Sequence, residues 1–282
     1  MLQADNVTLE FGGAQRKPGP TRVVTPVTVG QDFSPALPGL HGVSLEIRDG
    51  ALFGILGPNG SGKTTLLRVL AGIAAPSAGR VVLNGTDLRR LPRREVARRV
   101  AVVPQETHLA FDYSVLEIAL MGRYPHLGTF GLEGPGDVQI ARDALAATGT
   151  LHLERRNFST LSGGEKQRVV IASALAQAAS LMLLDEPTAS LDLGYQMEIG
   201  AFVRRLNEQR GVTMVIATHD LTFAAAVGTE LALVREGRVM ASGTTEAVLT
   251  SERIAELYGV EADVTRHPVT GRLIVVPIRK AS

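Results

Sequence analysis

The chain has 282 residues, 45% of them apolar and 20% charged, the proportions of a globular protein long enough to bury a sizeable core. Lys and Arg total 29 and Asp and Glu 28, and a net charge of +1 argues against a broad electrostatic grip on nucleic acid. With no cysteine in the chain, disulfides, thiolate nucleophiles and Cys-based zinc sites are excluded.

The opening MLQADNVTLEFGG lacks the basic start and apolar stretch of a secretory leader. Residues 12–40 hold five of the 14 prolines and five glycines, which reads as a long surface loop with an irregular strand at 22–29. A buried strand is expected at 51–56. The Asn84-Gly85 pair after an apolar run is a turn signal for a small antiparallel section near the N-terminus. Between Asp87 and Arg99, six arginines and two acidic residues leave a charge of +4. With no aromatic residues interleaved to stack on bases, this reads as a solvated helix face with Leu91 and Val96 packed inward.

A strand follows at 100–103. Residues 106–178 carry no strand pattern and read as a mainly helical insert, with a Gly-rich loop at 127–137. The most apolar stretch, 169–184, is shorter than the roughly 20 residues a membrane span needs. Ser173, Gln177 and Ser180 interrupt it, so it reads as a helix followed by a buried strand at 181–184. Further strands are expected at 212–217 and 231–234, then a helix after Ser251 and a strand pair turning at 268–271. The strands are nearly continuous Leu, Val and Ile, as in strands covered on both faces. Their alternation with helices implies an α/β fold with a mostly parallel sheet. A soluble, cytoplasmic chain is the expectation.

Three motifs carry chemistry. Gly57-Pro58-Asn59-Gly60-Ser61-Gly62-Lys63-Thr64, followed by Thr65, matches the phosphate-loop pattern between a strand and a helix. Its glycines let backbone N–H groups curl around phosphate oxygens, and the helix adds its positive end. Lys63 reaches the outer phosphates, and the Thr64 hydroxyl is a Mg²⁺ ligand. The second motif is Leu181-Met-Leu-Leu-Asp185-Glu186-Pro187, two carboxylates emerging at the carboxyl end of a buried strand, where open α/β sheets bind ligands. Asp185 can hold the Mg²⁺ shell, and Glu186 can orient and deprotonate an attacking water. The third is Leu161-Ser162-Gly163-Gly164-Glu165, an anion-binding helix start. None of the six histidines, at 41, 108, 126, 152, 219 and 267, has a paired metal spacing.

The phosphate loop, LSGGE and LLDEPTASLD, in this order, resemble the nucleotide-binding domains of ABC (ATP-binding cassette) proteins, and the resemblance covers nearly the whole chain. It implies a P-loop NTPase (RecA-like) α/β core with an antiparallel β section and a helical subdomain insert. The whole chain would be one domain: core at 1–105 and 179–250, helical subdomain at 106–178, C-terminal extension at 251–282. Gln105 matches the glutamine that would contact Mg²⁺ and the water. Ser190 and Asp192 match a loop that contacts the opposite subunit. His219 matches the switch histidine that contacts the γ-phosphate of ATP, and Phe11 fits the adenine platform. The resemblance implies a homodimer that would sandwich two ATP molecules, each covered by the LSGGE of the other chain.

A transporter subunit and a soluble ATPase acting on nucleic acid or ribosomes are the two classes to weigh. One phosphate loop, one LSGGE and no coiled coil, zinc module or fused membrane segment favour a separate importer ATPase. Ser114-Val-Leu-Glu-Ile-Ala-Leu-Met-Gly-Arg-Tyr-Pro-His126 and the tail Leu257-Tyr-Gly-Val-Glu-Ala-Asp-Val are similar to importer ATPases for iron–siderophore, haem and cobalamin uptake. That resemblance implies a membrane permease as partner, met by the region after Gln105. It also implies an extracytoplasmic substrate-binding protein met indirectly, a peripheral place on the cytoplasmic face of the inner membrane, and no nucleic-acid partner.

Overall fold

The computed structural model describes residues 1–10, 39–107, 109, 111–128, 131–189 and 191–280. Phe11, Ser190, His108 and the strand expected at 22–29 lie outside the described residues.

In chain order, β1 (Leu2–Leu9) and β2 (Leu40–Ile47) form an antiparallel pair. Every second residue of β1 is buried until the pairing register shifts between Ala4 and Val7, at Asn6 with φ 47°, after which burial resumes at Val7 and Leu9. This bulge bends the strand and keeps its apolar face inward. Next come β3 (Leu52–Leu56), α1 (Lys63–Leu70), β4 (Ala78–Leu83) and the two-residue β5 (Thr86–Asp87), with Asn84 and Gly85 forming the expected turn. The strands β2-β1-β4-β5 make the antiparallel sheet.

The arginine-rich segment is no continuous helix. It is a single 3₁₀ turn at Leu88–Arg90 and a five-residue helix, α2 (Arg93–Ala97), separated at Pro92. Proline lacks the N–H that would carry a helix through that position. Leu91 and Val96 do pack inward, against the core shared with the antiparallel sheet.

The chain continues through β6 (Val100–Val103) into α3 (Val115–Met121), α4 (Pro135–Ala147) and α5 (Gly163–Ala176). Apart from one isolated Ser114–Asn157 bridge, the described residues of this insert are helical or irregular. Then follow β7 (Leu181–Asp185), α6 (Leu193–Arg210), β8 (Thr213–Thr218), α7 (Leu221–Val227), β9 (Glu230–Arg235), β10 (Arg238–Thr244), α8 (Thr245–Val248), α9 (Ser251–Tyr258) and the hairpin β11 (Val260–Arg266) and β12 (Leu273–Lys280).

The larger sheet has the order β10-β9-β3-β8-β7-β6, parallel except for β10. Every residue of β3, β7 and β8 is buried, which is why their sequences show no alternation. One apolar core joins this sheet to α1 and the antiparallel sheet. A second joins it to the helical insert and α6. A third, built on Leu56, Leu233, Ile254 and Leu257, seats the C-terminal helix and hairpin.

Candidate functional site

The register brings the carboxyl ends of three strands level. Leu56 of β3 pairs with Thr218 of β8, and Ala217 of β8 pairs with Asp185 of β7. The segments leaving those ends are the phosphate loop, Glu186 with Pro187, and His219, so residues spread over more than 160 positions meet at one edge.

In the loop, Gly60 and Gly62 take φ of 78° and 105°, a region that side-chain-bearing residues rarely enter. These turns direct the chain into α1, whose first residue is Lys63. Lys63 Nζ donates to the carbonyls of Gly57 at 2.9 Å and Pro58 at 3.1 Å. Ser61 is 3% exposed, and its Oγ has no hydrogen-bond partner among the described residues. A buried hydroxyl without a partner is costly, and here it belongs to a loop shaped to surround an anion.

Thr64 Oγ1 donates to Asp185 Oδ1 at 3.1 Å. Burial pushes the Asp185 carboxyl above its ordinary pKa, the Thr64 hydrogen bond opposes that, and the neighbouring Glu186 charge adds to it. A hydroxyl and a carboxylate oxygen at this separation are hard donors that fit Mg²⁺. Among the described residues no three His, Asp or Glu side chains converge on a metal. Two donors alone suffice only for a partial Mg²⁺ shell, of the kind that substrate phosphates complete.

Glu186 is 8% exposed and has φ 47°, a left-handed conformation that costs roughly 1–3 kcal/mol for a residue with a side chain. Its N–H donates to the Ala217 carbonyl at 2.9 Å, which holds the turn against β8. The carboxylate divides its oxygens: Oε1 lies 3.5 Å from Lys63 Nζ, and Oε2 lies 2.7 Å from Nδ1 of His219. Burial lowers the Lys63 pKa, and the Glu186 and then the Asp185 charges oppose that. A carboxylate bonded to an imidazole, beside a buried ammonium, can accept a proton from a water as that water attacks.

The other residues singled out by sequence take several settings. Thr65 is buried in the first turn of α1. Gln105, just past β6, is exposed and has no hydrogen bond among the described residues, so its side chain is not part of the cluster. Ser162 caps α5, with Oγ accepting from Glu165 N while the Glu165 carboxylate accepts from Ser162 N at 2.8 Å. That backbone hydrogen bond holds the Glu165 carboxyl below the usual range. Leu161 is buried, Gly163 faces Leu191, and Gly164 lies under the Tyr195 ring. Asp192 caps α6 by accepting from Tyr195 N at 3.0 Å. Thus 161–165 and Asp192 adjoin each other, and no hydrogen bond among the described residues joins them to the phosphate loop.

The structural roles of two groups of residues escaped the sequence reading. The first gives Met121–His126 a physical role. A Cβ on Gly122 would stand 2.0 Å from the Ser173 carbonyl oxygen, so α3 closes on α5 only with glycine there. The buried Arg123 donates to the Ala176 carbonyl at 2.7 Å and to Asp137 at 2.9 Å. His126 Nε2 lies 2.8 Å from the Gln177 carbonyl, and the Gln177 amide reaches back to the carbonyls of Ala97 and Val100. Arg94 and Arg98 donate to the Pro125 carbonyl at 2.8 and 2.9 Å. Part of the arginine-rich segment thus fastens the helical insert to the core. The second is Tyr258, whose hydroxyl donates to the His219 carbonyl at 3.1 Å. Neither has a local signal, because the partners are tens of residues apart.

A groove of about 570 Å³ opens beside the insert, lined by Leu109, Phe111, Tyr113, Phe158 and Lys166 among others. Phe111 is 73% exposed.

The parallel sheet with a phosphate loop and two carboxylates at its carboxyl edge defines a P-loop nucleotide-binding protein. The model of the ABC transporter family matches residues 40–189, and the chain belongs to that family. It is 41% identical to a hemin import ATP-binding protein of Bordetella pertussis, over 98% of each chain. With the ferric enterobactin transport ATP-binding protein of Escherichia coli it shares 38% identity, over 85% of this chain and 89% of the other. A cobalamin import ATP-binding protein of Halobacterium salinarum is 42% identical over 85% of this chain, which spans 60% of that relative's length. Among solved structures, a metal-chelate type ABC transporter in an inward-facing conformation superposes with a TM-score of 0.81 at 28% identity, covering 99% of this chain and 98% of the other. A dimeric bacterial ABC transporter cassette gives 0.69 at 26% identity, covering 86% and 98%.

Proposed function

We propose that this chain is the ATP-hydrolysing subunit of an importer for an iron–siderophore complex, haem or cobalamin. The observation that carries the hydrolytic part is the convergence of Lys63, Thr64, Asp185, Glu186 and His219 at one sheet edge. The import part rests on relatives whose names state hemin, ferric enterobactin and cobalamin import.

In this reading the loop 57–62 and Lys63 bind the phosphates of ATP, with Ser61 Oγ finding its acceptor there. Thr64 and Asp185 would hold Mg²⁺, and Gln105 would be a further ligand. When bound, that ion neutralises charge on the phosphate oxygens. Glu186 orients the attacking water and takes its proton at the carboxylate. His219, tied through Nδ1 to Glu186, presents its other ring nitrogen toward the γ-phosphate. Phe11 stacks on adenine. The core is 1–105 and 179–250, and the insert 106–178 carries the signature residues 161–165 to the partner subunit's ATP, with Ser190 and Asp192 at the same junction. The dimeric family structure supports that two-chain arrangement.

A membrane permease binds the groove beside Phe111 and Tyr113, and an extracytoplasmic binding protein selects the cargo. The subunit works on the cytoplasmic face of the inner membrane, and among the described residues no helix is long and apolar enough to cross it. The test is capture from detergent-solubilised host membranes with tagged Glu186→Gln, ATP and Mg²⁺. A multi-span permease in the eluate supports the reading, and ribosomes or nucleic acid without membrane protein overturn it.

A further inference from the structure

His219 stands at the end of β8 and just before the cap of α7, with nearly half of its side chain exposed. A half-exposed imidazole at a strand–helix junction needs two anchors to stay aimed. The Glu186 carboxylate supplies one, at the ring. The backbone around His219 is divided among other duties. Thr218 Oγ1 accepts from Asp220 N at 3.1 Å, and the Asp220 side chain and carbonyl accept from the amides of Phe223 and Ala224 in α7. The His219 carbonyl lies outside this capping arrangement, and its hydrogen-bond partner among the described residues is the Tyr258 hydroxyl.

Tyr258 belongs to a separately anchored element. It is the last residue of α9, whose Ile254 and Leu257 are 1% and 4% exposed in the third core, against Leu56 of β3 and Leu233 of β9. Gly259 ends the helix with φ 64°, and the chain turns at once into the C-terminal hairpin. Tyr258 therefore sits between the hairpin and the switch residue. Burial first, then the charges of Glu186 and Asp220, raise its pKa, so the hydroxyl keeps its proton and stays a donor throughout the working pH range.

We infer that Tyr258 is a positioning residue for hydrolysis: its hydroxyl holds the His219 backbone so that Nδ1 meets Glu186, which ties the C-terminal extension to the catalytic centre. The inference rests on the hydrolytic reading above. It assigns a task to residues 251–280 that no motif in the sequence announces. Losing the hydroxyl frees one anchor of His219 and leaves the loop, the Mg²⁺ donors and Glu186 untouched. The loss should therefore fall on turnover and spare nucleotide affinity.

The test is Tyr258→Phe in the full chain, which keeps the ring and its packing. The expected result is a kcat about 3- to 10-fold lower, the effect of one neutral hydrogen bond, with the Kd for a fluorescent ATP analogue within about twofold of the parent. In a His219→Ala background the same change should alter kcat by less than about twofold, because the group it positions is gone. Hydrogen–deuterium exchange at 219–221 should quicken in Tyr258→Phe, a readout independent of turnover. Unchanged kcat, an equal loss in both backgrounds, or unchanged exchange would overturn the inference. A melting temperature lower by more than about 5 °C would also overturn it, by assigning the hydroxyl to stability. A parent chain that binds ATP but never hydrolyses it would instead sink the functional reading, and the exchange measurement would still judge the hydrogen bond.

Discussion

Replacing Glu186 by glutamine separates its chemical duty from its structural one. The side chain keeps its shape but loses its charge and its capacity to take a proton. At 3.5 Å from Lys63 Nζ, the attraction removed is about 5 kcal/mol at an effective dielectric of 20, before desolvation is counted. Two effects offset most of that. The amide oxygen still accepts from Lys63 or His219, and the Glu186 repulsion, which adds to burial in raising the Asp185 pKa, disappears. The expected net loss of folding stability is about 1–2 kcal/mol, while turnover should fall about 10²- to 10⁴-fold, the cost of losing a general base. ATP binding survives because the loop and Lys63 are intact. Phosphate release gives the rate, and thermal melts with excess ATP give the binding. A ligand at 100 times its Kd stabilises by about 2.7 kcal/mol. In the variant that shift should persist for hours, and in the parent it should decay as ATP is consumed. Size-exclusion chromatography with ATP should show the variant as a trapped dimer. Hydrolysis at the parent rate in Glu186→Gln would refute the assignment of Glu186 as the base.

Further outcomes follow from the same geometry. Lys63→Ala should weaken ATP binding about 30-fold or more by calorimetry, since truncating one member of a buried charge contact costs 2–5 kcal/mol or so. Gly122→Ala should destabilise the chain by about 1–3 kcal/mol in urea, because its Cβ meets a backbone oxygen at 2.0 Å and helices α3 and α5 must separate. Arg123 holds the Asp137 carboxyl below its ordinary pKa. That depressed value means the pair's stabilisation is complete above the unfolded value of about 3.9 and is lost as pH falls through the folded one. Arg123→Met should flatten that acid limb of the urea midpoint. It should also cost about 1–3 kcal/mol at neutral pH, where the buried Ala176 carbonyl loses its donor.

Much of this site could be read from the chain because the loop motif is local. A run of eight residues, 57–64, forms the loop with its own backbone, and the strand before it and helix after it are visible in the same window. The pair Asp185-Glu186 is legible for the same reason, as the polar end of an apolar strand. His219 is a weaker case: nothing in Ala217-Thr-His-Asp shows that its ring will meet Glu186, 33 residues earlier. That contact depends on β7 and β8 being neighbours with Asp185 level with Ala217. The arginine-rich segment marks the limit of periodicity. Composition suggested a solvated helix, but Pro92 breaks it and Arg94 and Arg98 turn to the Pro125 carbonyl.

The sequence by itself determined the strand–helix alternation, the phosphate loop, the acidic strand end, the helical insert and the C-terminal helix and hairpin. Each is written in consecutive residues or in a short period, where propensity and burial act on a few neighbours. Only the tertiary structure decided which carbonyls Arg123, Gln177 and Tyr258 reach, and that the C-terminal helix docks beside His219. Those contacts join residues 39 to 80 positions apart. Their geometry is set by sheet order and by how three apolar cores pack, and a single donor side chain carries no mark of the acceptor it will find.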